Sequence, residues 1–139
     1  MSKLILKDAD IVLDGVNLSD HASSVEINSA KDLQEVTSFG NAYKTNLVGL
    51  GDATMSITFF QDYAAASVDA TLWPLHDSEA TFPVVVKPTS GPVSATNPSY
   101  TMTAVLPEFS PLSGSVGEAS TVDVELQNAG ETGIVKAIA

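Results

Sequence analysis

Residues 54 to 60 read Thr-Met-Ser-Ile-Thr-Phe-Phe. Met55, Ile57 and Phe59 stand two apart, separated by Thr54, Ser56, Thr58 and Phe60, which is the pattern of a strand with one face buried and one in water. A second stretch repeats it: Val116, Val122, Val124 and Leu126 share a face opposite Thr121, Asp123, Glu125 and Gln127. Period-two alternation does not fit a helix, so these two segments set the fold class as β.

Working outward, further strands are expected at residues 10 to 13, 23 to 28 with Val25 and Ile27 inward, 33 to 39, 82 to 87 and 99 to 109. Asp14-Gly15, Phe39-Gly40-Asn41, Gly49-Leu50-Gly51-Asp52, Ser90-Gly91-Pro92 and Ser113-Gly114-Ser115 punctuate them as turns. Many short strands with such punctuation indicate a mainly β protein, a β-sandwich or barrel. Pro107, inside the long last-but-one run, marks a sheet edge or a bulge. One segment is helical: Val68, Leu72 and Leu75 have i, i+4, i+7 spacing. Ser67 is placed to cap that helix and Asp69 suits its first turn, so one short flanking α-helix ending near Pro74 is expected.

Residues 40 to 53 form a long inter-strand loop in this reading, yet they carry Tyr43, Leu47, Val48 and Leu50 among three glycines. Such residues are costly in a solvated loop. Either the loop folds back on its own core or it is a contact arm buried by a neighbouring subunit.

At 139 residues the chain is expected to be a single domain, residues 1 to 139, able to bury about two thirds of its surface. Six lysines against 17 acids give a net charge of −11. With no arginine and a surplus of acid, tight nucleic-acid binding is not expected. The absence of cysteine removes disulfides, thiolate metal sites and cysteine nucleophiles. No apolar run approaches the roughly 18 residues of a membrane helix, so no membrane insertion is expected, and Lys7, Asp8 and Asp10 break the N-terminal Leu-Ile-Leu run too early for a signal peptide.

Chemistry is sparse. His21 beside Asp20 and His76 beside Asp77 permit a Ser-His-Asp arrangement, but no nucleophile-elbow pattern accompanies either. Residues 8 to 15 match a calcium loop only until Val12, where a ligand should stand. Gly49-Leu50-Gly51 opens a dinucleotide fingerprint that Thr54 fails to complete. No catalytic residue, cofactor or metal site is expected, and the chain reads as a non-enzyme.

The order and spacing of several motifs resemble the major tail tube proteins of bacteriophages with long, non-contractile tails, siphovirus-type, and those of actinobacterial phages in particular. The matching residues are Thr37-Ser38-Phe39-Gly40, Gly49-Leu50-Gly51-Asp52 leading into Ser56-Ile57-Thr58-Phe59, Gln61-Asp62-Tyr63, residues 67 to 75, Asn97-Pro98-Ser99-Tyr100 and residues 110 to 117. The resemblance implies a virion structural protein whose homohexameric rings stack into a hollow tube through which double-stranded DNA is ejected without specific binding. It makes residues 40 to 53 an inter-ring stacking loop, with Tyr43, Lys44, Leu47, Val48 and Leu50 as its contacts, and residues 1 to 8 a flexible N-terminal arm. It implies a tape-measure protein, a tail initiator or baseplate and a tail terminator as partners, and assembly in the host cytoplasm before residence in the phage tail. Acids lining the lumen would keep DNA from adhering, and Asp52 and Asp62 lie within the matched motifs. The alternatives are a related ring-former, such as a type VI secretion tube or a tail terminator, and a small hydrolase using His21 or His76.

Overall fold

The computed structural model describes residues 3 to 138. Eight strands form one antiparallel sheet: β1 (Asp10–Leu13), β2 (Val16–Asn17), β3 (Ala22–Glu35), β4 (Asn46–Phe60), β5 (Phe82–Lys87), β6 (Ser99–Val105), β7 (Thr121–Asn128) and β8 (Val135–Ala137). The spatial order is β2-β1-β5-β6-β7-β4-β3, with β8 added to β6. Only Ala104 and Val105 of β6 pair with β7, through Asn128 and Gln127. That short seam lets the sheet fold over, so that β1, β5 and β6 face β7 and β4 across one core. The two ends of the sheet, β2 and β3, do not pair with each other, so the sandwich stays open along one side.

The alternation that set the fold class is realised residue by residue. Met55, Ile57 and Phe59 are buried with Val122, Val124 and Leu126 beside them, because β4 and β7 pair Phe59 with Val122, Ile57 with Val124 and Met55 with Leu126. Ile11, Leu13, Phe82, Val84, Val86, Met102 and Ala104 supply the opposing layer. Phe59 is fully enclosed. Phe59→Ala is therefore expected to destabilise the fold by about 3–5 kcal/mol in a denaturant titration, the cost of lost transfer energy and a cavity.

Helix α1 (Val68–Ser78) closes the core with Val68, Leu72 and Leu75. It runs four residues past Pro74, where the sequence suggested its end. Proline removes the hydrogen bond to the carbonyl of Ala70 and ordinarily costs about 3 kcal/mol inside a helix. Tertiary anchors override it here. Leu75 is buried, His76 Nδ1–H donates to the carbonyl oxygen of Leu106 at 3.0 Å, and the His76 ring lies 5.7 Å from Trp73 and 6.5 Å from Phe109. Glu79, at φ 58°, ends the helix in the left-handed conformation.

Three strand boundaries differ from expectation. The runs 23 to 28 and 33 to 39 are parts of one strand, β3, which stops at Glu35 and carries an irregularity between Lys31 and Leu33. β6 stops at Val105, so Pro107 lies beyond the strand rather than within it. β7 begins at Thr121, and Val116 stands fully exposed in the preceding loop instead of sharing the core face, since Gly117 at φ 86° turns the chain between them.

Candidate assembly surfaces

The segment expected to be a loop over residues 40 to 53 is mostly strand. β4 begins at Asn46, and the connection from β3 spans only residues 36 to 45. Val36 N–H donates to the carbonyl of Thr45 at 2.8 Å, and Thr45 N–H donates to Thr37 Oγ1 at 2.9 Å, closing the tip. β7 pairs with β4 only from Thr54 onward, so beyond Ala53 the two strands pair with each other and with nothing else. Seven residues on one strand and eight on the other carry this ribbon about 25 Å away from the body. Every residue from Asn28 to Asp52 is exposed.

An isolated two-stranded ribbon is marginal in water. This one exposes Tyr43 (85%), Leu47 (61%), Val48 (63%) and Leu50 (84%), the apolar residues singled out in the sequence, with Lys44 beside them at the tip. It also exposes Leu33, Val36 and Phe39, which were missed because residues 33 to 39 read as a half-buried strand. Successive residues such as Leu47 and Val48 point to opposite faces, so neither side of the ribbon is a conventional solvated face. Such a concentration of large apolar side chains on a projecting element is unusual for a surface left in water. Near the N-terminus, Leu4, Ile5 and Leu6 are likewise exposed, while Asp8 is fixed by accepting hydrogen bonds from Ser90. Residues 1 and 2 of the expected N-terminal arm lie outside the described residues.

The outward face of β3, β4 and β7 has a different character. Ser24, Glu26, Ser56, Thr58, Asp123 and Glu125 line a shallow concavity of about 600 Å³ together with Glu108 and Ser110. Thr58 Oγ1–H donates to Asp123 at 2.8 Å, and Gln127 donates to Glu125 at 2.9 Å. The face holds carboxylates and hydroxyls and no lysine.

Of the two acids marked in the sequence, Asp52 stands exposed at the root of the ribbon, paired in register with Ala30. Asp62 is engaged elsewhere. Its carboxylate accepts from Ala64 N–H at 2.9 Å and Ser67 Oγ–H at 2.8 Å, and its Oδ2 lies 2.8 Å from His21 Nε2. His21 Nδ1 lies 2.8 Å from Asp20. This network ties the 3₁₀ turn Ser19–His21, the end of β4 and the start of α1 together. It also explains why Ser67, in position to cap the helix, makes no side-chain cap bond.

The same network brings a serine, a histidine and two aspartates together, so the hydrolase alternative meets its geometry here. Both imidazole nitrogens face carboxylate oxygens, and the Ser67 hydroxyl donates to Asp62 at 2.8 Å while lying 3.3 Å from His21 Nε2. Asp20 and Asp62 hold the ring from both sides, and Ser67 itself is buried. His76 lies in a separate cluster with Trp73 and Phe109. The arrangement is a structural clasp.

Asp20 first, then Asp62, raise the His21 pKa above 6.5; the Ala64 N–H first, then Ser67 and His21, lower the Asp62 pKa below 3.8. The histidine contribution to stability is complete below its unfolded pKa and is lost as pH rises through the raised value. The aspartate contribution is present above its unfolded pKa and is lost as pH falls through the lowered value. The clasp is therefore whole between 3.8 and 6.5. Thermal melts at about pH 6 and about pH 9 should show a lower midpoint at the alkaline pH, and His21→Gln should shrink that difference. An equal difference in the variant would place the alkaline sensitivity elsewhere.

Among the described residues no group of three histidines and acids is placed to hold a metal ion, and no helix is long and apolar enough to cross a membrane. No protein-family model and no curated protein sequence matches the chain. Solved structures do. The fold is similar to the SPP1 tail tube (TM-score 0.77, 10% identity, 99% of this chain and 80% of that one). It is also similar to a chain in the tail of an empty gene transfer agent particle refined with C6 symmetry (0.67, 14%, 86% and 82%). A third likeness is to the sheath/tube terminator assembly of the PVC extracellular contractile injection system in its extended state (0.75, 9%, 98% and 97%). At these identities the likeness establishes architecture: a mainly antiparallel β-sheet with one helix, the fold of tail tube proteins.

Proposed function

We propose that this chain is the subunit of a hollow tail tube, forming six-membered rings that stack coaxially in a phage-type virion. The observation that carries the reading is the projecting ribbon from Asn28 to Asp52, wholly exposed and bearing seven large apolar residues on a fold similar to tail tubes. Tyr43, Lys44, Leu47, Val48 and Leu50 are its inter-ring contacts. Each large apolar side chain is worth about 1.5–3 kcal/mol when fully buried, so covering even part of the set stabilises a stack by several kcal/mol per subunit. The exposed Leu4, Ile5 and Leu6 offer a second, N-terminal contact. The protein acts by shape and assembly, not as an enzyme.

In this reading the carboxylate and hydroxyl face of β3, β4 and β7 lines the lumen, with Glu26, Asp123 and Glu125 as its acids. Asp52 borders that wall, and Asp62 serves the clasp instead. Six chains at −11 make a ring strongly anionic, so double-stranded DNA moving through would be held off the wall rather than bound. The motif order supports a long-tailed, non-contractile, actinobacterial-type phage. That setting brings a tape-measure protein, an initiator or baseplate and a terminator as partners, assembly in the host cytoplasm and residence in the virion tail.

The likeness to a terminator assembly favours a second reading, a ring that caps a tube without extending it. Sedimentation over a series of increasing salt separates the two. Screening of the subunit charge should move the tube subunit from one chain through six to much larger species. A distribution that stops at six chains would favour the terminator.

A further inference from the structure

We infer that the tip of the ribbon docks on the loop 111 to 118 of a second copy in the next ring, against Leu112 and Val116. The inference deepens the tube reading and rests on it.

The two surfaces lie at opposite ends of the molecule. β4 runs from Asn46 at the tip to Phe60 at the base, about 45 Å at strand rise. Gln61, the next residue, donates its backbone N–H to the carbonyl of Ser120 at 2.9 Å and its side-chain amide to the carbonyl of Pro111, so the 111 to 118 loop sits at the base. That loop exposes Leu112 (79%) and Val116 (104%) to solvent. It presents them from a tied backbone: Ser120 Oγ–H donates to the Ser113 carbonyl, Ser115 Oγ–H to Glu118 at 3.0 Å, and Tyr63 Oη–H to the Pro111 carbonyl. Tyr63, itself more than half exposed, extends the apolar surface.

Charge chooses between the ways two copies could meet. The tip, residues 36 to 45, carries one charged side chain, Lys44, while lower on the ribbon Lys31 stands beside Asp32 and Glu35. No lysine or arginine occurs from residue 45 to 86 or from 88 to 135, so the base of the molecule offers Glu118 and Glu108 with no lysine near them in sequence. Tip against tip would set Lys44 against Lys44, and base against base would set acid against acid. Tip against base pairs lysine with glutamate and apolar with apolar. Such a contact joins two different surfaces, so it is heterologous, and with the two surfaces at opposite ends of the molecule it can propagate along an axis, as a stack of rings requires.

The chain has no native cysteine, so single cysteines report this contact directly. Tyr43→Cys and Val116→Cys, one of them tagged, are assembled together, treated with a short bismaleimide and separated under denaturing conditions. The expected result is a mixed dimer that forms in tubes and is lost when assembly is prevented. Tubes that yield no mixed dimer, or that cross-link only through Tyr43→Cys pairs, would overturn the docking while leaving the tube reading intact. Absence of both tubes and mixed dimer would remove the tube reading and this inference together. In support, Leu112→Asp with Val116→Asp should retain the wild-type melting midpoint and lose stacked rings; stacks of wild-type length would contradict the assignment.

Discussion

A chain in which residues 31 to 51 are replaced by Asn-Gly is expected to fold with a melting midpoint close to that of the wild type and to form no tubes. Ala30 and Asp52 are partners in register, so a two-residue turn between them closes a shorter hairpin in the geometry that Asn-Gly favours. No side chain between Asn28 and Asp52 is buried, and the core residues of β4 begin at Ala53. The excision therefore removes nothing the folded subunit rests on. It does remove Leu33, Val36, Phe39, Tyr43, Leu47, Val48 and Leu50, whose combined burial is the main favourable term available to a stack. Calorimetry and light scattering read the two halves separately. A shortened chain that unfolds would show the ribbon to be part of the fold, and one that still builds tubes would show it to be dispensable.

The second large effect concerns the wall. Glu26→Lys, Asp123→Lys and Glu125→Lys combined move each subunit six charges toward positive without touching a buried residue. Tubes should still assemble. Wild-type tubes should release short duplex DNA freely at low salt, whereas the triple variant should retain it, with retention weakening steeply as salt rises in the manner of counterion release. In infection the same variant should slow ejection. Equal DNA retention by both tubes at low salt would place this face on the outside of the assembly. Thr58 would also lose its acceptor at position 123, so the melting midpoint of the variant needs measuring beside the binding.

How far the sequence could be read follows from where water lies. Met55, Ile57 and Phe59, and Val122, Val124 and Leu126, sit in strands with one dry face and one wet face, and there period two maps directly onto burial. Phe82–Lys87 was legible to the residue for the same reason. The ribbon was not. In the free subunit both of its faces are wet, so alternation carries no signal, and Gly49 and Gly51 read as a turn although both lie inside β4. The apolar residues of the ribbon nevertheless stood out because nothing about a solvated loop requires them. The helix was legible in position but not in length, since the contacts of Leu75 and His76 that carry it past Pro74 come from outside the segment. The clasp was hidden altogether: His21 meets Asp62 41 residues away and Ser67 46 residues away. A histidine flanked by an aspartate gives no hint of such partners. Val116 reads as a core residue because it fits the alternation of β7, from which Gly117 separates it.

That these subunits build a channel can be seen by electron microscopy of the concentrated protein across a salt series near neutral pH. Hollow tubes of stacked rings are expected, six-fold in end view, with a continuous axial channel and the ribbon bridging one ring to the next. Filaments without a channel, end views of another symmetry, or single chains persisting at every salt and concentration even when tube ends are supplied would contradict it.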